Sequence, residues 1–467
     1  MLFVRTLERS LPPRFQGQMH RAVTALTQEN DVARAQRMAL IAFAIRVVSA
    51  AIAFLSQIVQ ARLMGDFEYG IFVFVWVLVV LFGNLSCLGF HSTIIRFLPQ
   101  YQARNEVASI RGLTLTARLF AMGLASFLTV FGLLALHMAG EHVAAYYITP
   151  LFLGLFALPL IALGDVLDGT ARANSWPVVA LSPTYIIRPV LILALMLGVV
   201  WLGAPHTATT AMQAALAATY ITTLGQLITV RTRLKNKFSR GSRRIEFLTW
   251  FRVAVPIFFI EGFLFLLTNS DVVVVGLYLP PDQVGIYFAA AKTMALVQFV
   301  YFAVKAAAGP RFSALMNGDD LKPLAIFAGK MAGWCFWPSL AIGLLVLAAG
   351  EVLLGLFGPN FKAGYPLMVI LFTGMLTKAL VGPGEVLLTM AGRQNLCVLL
   401  YVIALTANIG LNVTLIPLYG LSGAAMATAL ATLVEALLLH IAVRQALGIV
   451  LFAFADPLSR LKGQNHG

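Results

Sequence analysis

Apolar runs long enough to cross a lipid bilayer follow one another along almost the whole chain. Read with a window of about 19 residues, they lie near 38–60, 71–93, 113–137, 147–167, 178–202 and 208–230, then near 251–279, 284–308, 325–349, 365–390, 396–416 and 421–446. A transmembrane helix needs about 20 mostly apolar residues, and each run meets that length. Barrel strands would alternate apolar and polar residues over about ten positions, whereas these runs are continuous. Of the 467 residues, 60% are hydrophobic and only 11% charged, with a mean hydropathy of +0.87. A soluble domain carries about a quarter charged residues and could not hide this much apolar surface. The sequence therefore predicts an all-α polytopic membrane protein of about twelve transmembrane helices.

The basic residues segregate. With the N-terminus inside, 23 Lys and Arg fall on inside segments and only Arg62 and Lys362 on outside loops. Such a bias is the positive-inside signal, and it predicts cytoplasmic termini in a multi-pass protein. It also accounts for the net charge of +14 without nucleic acid as a partner. The predicted organisation is a polar tail over 1–37, six spans over 38–230, a basic cytoplasmic linker over 231–249, six spans over 250–446 and a second cytoplasmic tail over 447–467. The linker holds Arg231, Arg233, Lys235, Lys237, Arg240, Arg243 and Arg244; besides setting topology, such a cluster can meet anionic lipid headgroups. The long polar N-terminal stretch is not a cleavable signal peptide.

The two halves echo each other. Gly70-Ile71-Phe72 opens the second run and Gly285-Ile286-Tyr287 the eighth, 215 residues later. Ala211-Met212 and Ala215-Leu216-Ala217 in the sixth run match Ala425-Met426 and Ala429-Leu430-Ala431 in the twelfth, 214 residues later. Six spans is an even number, so the repeat is parallel, about an axis along the membrane normal. Transporters are often built this way, with the substrate held between repeats near the midplane.

Eight bases fall inside the runs: Arg46, Arg118, Arg188, Arg252, Lys292, Lys305, Lys330 and Lys378. At the bilayer centre each costs roughly 2.5–3.5 kcal/mol on insertion scales. Arg118, Arg252, Lys305 and Lys330 lie close enough to the inner end to snorkel. Arg46, Arg188, Lys292 and Lys378 lie deeper and need either a polar cavity or an acidic partner. The acids read inside the runs are Glu261, Asp271, Glu385 and Glu435, which leaves a surplus of positive charge. An anionic substrate fits such a surplus, phosphate or pyrophosphate above all, because guanidinium binds it bidentately. The cationic-cavity candidates are Arg46, Arg188, Lys292 and Lys378, with Arg118 nearer the inner end. Asp271 and Glu261 are the candidate sites for a coupling proton or sodium ion, or else partners for nearby bases.

No soluble-enzyme constellation is present. There is no Gly-x-x-x-x-Gly-Lys-Ser/Thr phosphate loop, no metal-ligand spacing, and no cofactor is expected. Cys87, Cys335 and Cys397 all fall inside apolar runs and read as small core residues.

Three stretches carry a family resemblance. The first is Ala61-Arg62-Leu63-Met64-Gly65, then Glu68-Tyr69-Gly70 and Arg96-Phe97. The second is Asp271, Gly276, Val284-Gly285-Ile286-Tyr287 and Ala290-Ala291-Lys292. The third, and most specific, is Leu411-Asn412, Leu415-Ile416-Pro417, Tyr419-Gly420 and Gly423-Ala424-Ala425-Met426-Ala427-Thr428. Over about 38–446 the chain resembles bacterial polysaccharide flippases of the multidrug/oligosaccharidyl-lipid/polysaccharide exporter superfamily. The resemblance implies two six-helix lobes around a central cationic cavity. It implies transport of undecaprenyl-pyrophosphate-linked sugar repeat units across the bacterial inner membrane for O-antigen, capsule or exopolysaccharide, with polymerase and export machinery as partners. A cation-coupled drug exporter of the same superfamily is the alternative, but it would want acids in its cavity. A membrane-bound polymerase or glycosyltransferase would want a large external loop, and no outside loop exceeds about 15 residues.

Overall fold

A computed structural model of the chain describes residues 31–455 apart from 141, 240 and 317–320, and leaves the side chains of 31–44 and 310 undescribed. The N-terminal tail through residue 30, Arg240 of the basic loop and the C-terminal tail from 456 thus lie outside the described residues. Everything regular among them is helical. The first half comprises α1 (Asp31–Leu85), α2 (Phe90–Ala103), α3 (Val107–Met138), α4 (Ala145–Leu155), α5 (Leu158–Ala173), α6 (Pro177–Trp201) and α7 (Ala208–Lys237). The second comprises α8 (Phe247–Leu267), α9 (Ser270–Tyr278), α10 (Pro281–Met316), α11 (Lys322–Ala348), α12 (Gly350–Phe357), α13 (Tyr365–Val381), α14 (Gly384–Met390) and α15 (Gln394–Leu447), with a short 3₁₀ turn at Asn360–Gly364.

Eight helices among the described residues are long and apolar enough to cross a membrane, or nine when the bent pair α4 and α5 is taken as one span. The expected twelve is not reached on that criterion, for identifiable reasons. The stretches Ile45–Ala103 and Gln394–Leu447 hold 59 and 54 residues, and at 1.5 Å per residue each is long enough to cross twice. Ala208–Lys237, where a sixth span is expected, is too rich in Thr and basic residues to qualify. Within α15 the chain reverses at Gly420, whose φ of 57° suits glycine. The Leu415 carbonyl abuts the Cα of Gly423, eight residues on, whereas a straight helix would separate them by about 12 Å. In α1 the break is at Gly65, φ 78°.

The packing follows membrane rules. In α3, Ala117, Ala121 and Ala125 recur every four residues and are fully buried. Small residues at that spacing let helices approach closely where lipid offers no hydrophobic drive. Phe127, Phe131 and Leu134 of the same helix face outward, as a lipid-facing surface requires. Helices α2, α3 and α7 pack around α5 in the first half, and α10, α11 and α15 around α13 in the second. Helix α8 bridges them, packing on both α15 and α2.

The halves also meet through α1 and α10. A Cβ at Gly70 would overlap the Pro281 carbonyl, and a Cβ at Gly285 would stand 2.9 Å from the Asp66 carbonyl. These contacts exchange under the 215-residue offset of the sequence repeat, since Asp66 corresponds to Pro281 and Gly70 to Gly285. A reciprocal pair of this kind is what a two-fold relation produces. At the same end, Arg62 donates to the carbonyls of Leu356 (2.6 Å) and Gly355 (2.5 Å), and Asn360 donates to Asp66 at 2.8 Å. At the opposite, basic end, the linker is shorter than the expected 231–249. The residues 231–237 continue α7, because Arg, Leu and Lys are good helix formers, and α8 begins at Phe247.

Candidate functional site

The deep charges of the first half gather around α6. Its regular ladder is broken by Pro183 and Pro189, which lack amide protons, and Pro183–Ile187 forms a π-turn. The Arg188 amide reaches back five residues to the Pro183 carbonyl. Such turns are frequent at functional sites. Tyr185 of this turn lies under the Arg46 guanidinium of α1, 4.4 Å from the ring centroid. Arg188 is only 6% exposed. Asp165 of α5 is the acid within its electrostatic reach, but no ion pair joins the two among the described residues, and the Arg188 Nε has no hydrogen-bond partner. One turn along α5, Asp168 is ion-paired with Arg172.

The deep charges of the second half behave differently. Lys378 of α13 is ion-paired with Glu435 of α15 at 2.7 Å and lies 5.5 Å from the Tyr301 ring centroid. Lys305 of α10 pairs with Glu385 of α14 at 3.0 Å, and the Tyr301 hydroxyl donates to the same carboxylate at 2.5 Å. Two bases and two acids thus make a locally neutral cluster. Lys292 lies 4.9 Å from the Phe288 ring centroid and within electrostatic reach of Asp271.

Both coupling candidates are engaged. Asp271, in the first turn of α9, accepts from the Tyr287 hydroxyl at 2.9 Å and from the Val272 amide at 2.8 Å. Tyr287 also contacts the Thr428 hydroxyl at 3.1 Å. Glu261 of α8 crosses to the first half, where it meets His91 Nε2 at 2.9 Å and accepts from the Ser92 hydroxyl at 2.6 Å.

The sequence-predicted bases therefore occupy separate settings. Arg46 and Arg188 share the Tyr185 neighbourhood, Lys292 stands beside Asp271, Lys378 is paired, and Arg118 lines a cavity at the basic end. The tally of four acids inside the spans is too low. Asp165 lies inside the fourth run itself, and Asp168 is on the same helix, which continues to Ala173. The surplus of positive charge is correspondingly smaller than read. His91 is neither Lys nor Arg and carries no charge signal of its own in the sequence; its distant partner Glu261 marks it in the fold. All three cysteines are buried and free, in line with a core role.

A family model described as "Polysaccharide biosynthesis protein" matches residues 36–316, more than half of the chain. The "Probable flippase AglR" of Haloferax volcanii is 30% identical over 167 residues. That match spans 34% of this chain and 34% of that protein, about a third of the relative's length. Among solved structures, the lipid II flippase MurJ in an inward closed conformation matches with a TM-score of 0.71 at 14% identity, over 87% of each chain. An inward-facing multidrug resistance MATE family transporter of the MOP superfamily matches with a TM-score of 0.65 at 14% identity, over 85% of this chain and 94% of that one. At these identities the two structures establish the fold.

Proposed function

The chain belongs to the polysaccharide biosynthesis protein family, and from that premise we propose that it is a flippase, not an enzyme. Its substrate in this reading is an undecaprenyl-pyrophosphate-linked oligosaccharide repeat unit, carried across the bacterial inner membrane with both termini in the cytoplasm. A diphosphate carrying sugars cannot cross hydrocarbon unaided, because an uncompensated charge is too costly to desolvate. The observation that carries the reading is Arg188. A buried donor left unmet costs about 1–3 kcal/mol, and the oxygens of a diphosphate would recover that cost. Arg46, held over Tyr185, supplies a second guanidinium in the same neighbourhood. Lys292 is the candidate guide from the second half. Lys378, neutralised by Glu435, serves structure in this reading.

Transport would follow from the two halves rocking against each other. The contacts at the Gly70 end, Arg62 with Gly355 and Leu356 and Asp66 with Asn360, are the ones that must part in the opposite state. Glu261 is the better coupling candidate of the two acids, because its contact with His91 and the hydrogen bond it accepts from Ser92 join different halves. Protonating it would weaken that junction, whereas Asp271 is held within the second half.

The test is translocation in proteoliposomes. Purified protein should bring a lipid-diphosphate oligosaccharide to the outer leaflet, where an added lectin detects the sugar. Export of a cationic dye with no movement of the lipid-linked sugar would favour the drug-exporter alternative instead.

A further inference from the structure

At the basic end, α3 and α7 each pack against α5, and a cavity of about 760 Å³ opens between them. Arg111 and Arg118 enter it from α3, Arg231 and Lys235 from α7, and Arg243 from the linker to the second half. No Asp or Glu lines it among the described residues. Two guanidinium nitrogens, Arg111 Nη1 and Arg118 Nε, are buried without a hydrogen-bond partner. Five like charges around one cavity repel each other unless an anion sits among them.

The walls specify what kind of anion. Leu115 and Leu227 line the same cavity. Leu119, four residues beyond Leu115, and Ile228, next to Leu227, are 62% and 66% exposed, on a surface that faces lipid. A cationic mouth above apolar walls matches an amphiphile lying in the membrane. Basic pockets between transmembrane helices are suited to headgroups that carry two phosphates, and five bases provide enough donors for two.

We propose that this cavity binds the diphosphatidyl headgroup of an anionic phospholipid, in the leaflet at the basic end. The site is built from the first half and the linker and does not depend on which substrate is carried. Its position gives it a consequence. The Arg244 amide donates to the Ala108 carbonyl at 3.0 Å, and a Cβ at Gly112 would overlap the Arg244 carbonyl. The linker is therefore already docked on α3, and a headgroup held by Arg118, Arg231 and Arg243 fastens it to α7 as well. A lipid so placed fixes the segment through which the halves are joined.

The experiment uses full-length protein in phosphatidylcholine nanodiscs with and without cardiolipin, and reads bound lipid by native mass spectrometry after release. Wild type and the exposed-base control Arg393→Gln should retain cardiolipin equally. In the double variant Arg118→Gln/Arg231→Gln the bound fraction should fall about tenfold, ~1.4 kcal/mol. Equal retention in all three proteins overturns the proposal. Displacement of the lipid by inorganic phosphate alone assigns the cavity to a soluble anion and overturns it too. A melting temperature that matches wild type in the double variant keeps misfolding from mimicking the expected loss.

Discussion

Gly70 and Gly285 pack backbone to backbone, each facing the residue four positions before the other: Gly70 against Pro281, Gly285 against Asp66. The two halves thus touch through equivalent atoms, and the absence of side chains at both positions permits the approach. The contact is unequal in tightness. At Gly70 an added Cβ would overlap carbonyl backbone, whereas at Gly285 it would stand 2.9 Å away.

Gly70→Ala should therefore destabilise the protein more than Gly285→Ala. Overpacking of this kind costs about 1–3 kcal/mol, and the difference should appear as a larger fall in the detergent melting temperature for Gly70→Ala. Equal and negligible shifts would mean the halves are not in contact there.

Lys378 and Glu435 form a partly buried pair, the Lys378 side chain 28% exposed and Glu435 4%. Removing one partner of such a pair costs roughly 3–5 kcal/mol because the other is left charged and alone. Lys378→Met should deplete the protein from the membrane, and Lys378→Met/Glu435→Leu should restore its level. Quantitative immunoblots of membrane fractions decide this. Normal levels of the single variant would show that Lys378 is free to serve the substrate.

The Asp66–Asn360 hydrogen bond joins the halves at the Gly70 end. Cysteines at both positions, linked by a short bis-thiol reagent, should stop transport, and a cleavable linker should restore it after reduction. Unimpaired transport in the linked protein would exclude separation of that end.

Sidedness makes a separate prediction. Arg62 and Lys362, the outside bases of the sequence reading, both lie against α12, near Gly355. Arg111, Arg231, Lys235 and Arg243 gather at the other end. In intact cells an impermeant thiol reagent should label cysteine at position 205, on the loop between α6 and α7, and spare cysteine at 242. The reverse pattern would invert the topology.

The sequence makes the membrane fold legible because span length and hydropathy are local properties. It also discloses the repeat, since Gly70 and Gly285 head matching runs. What it cannot disclose is pairing at a distance. The depth of Lys378 marks it as special, but its neutralisation by Glu435, 57 residues away, depends on how α13 meets α15. Asp165 escaped because it sits at the polar edge of an apolar run, where helix α5 continues past the hydrophobic window. Arg118 reads as a base near the inner end, and its position on α3 brings it to the linker bases. Glu261 reads as one of two acids on a single span with Asp271, and its partner His91 follows only from the packing of α8 against α2.

In the proposed transport cycle Arg188 meets a diphosphate. A hydrogen bond to a charged group contributes about 1.5–3 kcal/mol, so its loss corresponds to roughly ten- to a hundredfold in affinity. Translocation of a lipid-diphosphate oligosaccharide by Arg188→Gln proteoliposomes should fall by that order, at a membrane level equal to wild type. Arg188→Lys should recover part of the rate, because it returns the charge without the guanidinium fork. A wild-type rate in Arg188→Gln would exclude Arg188 as the diphosphate ligand.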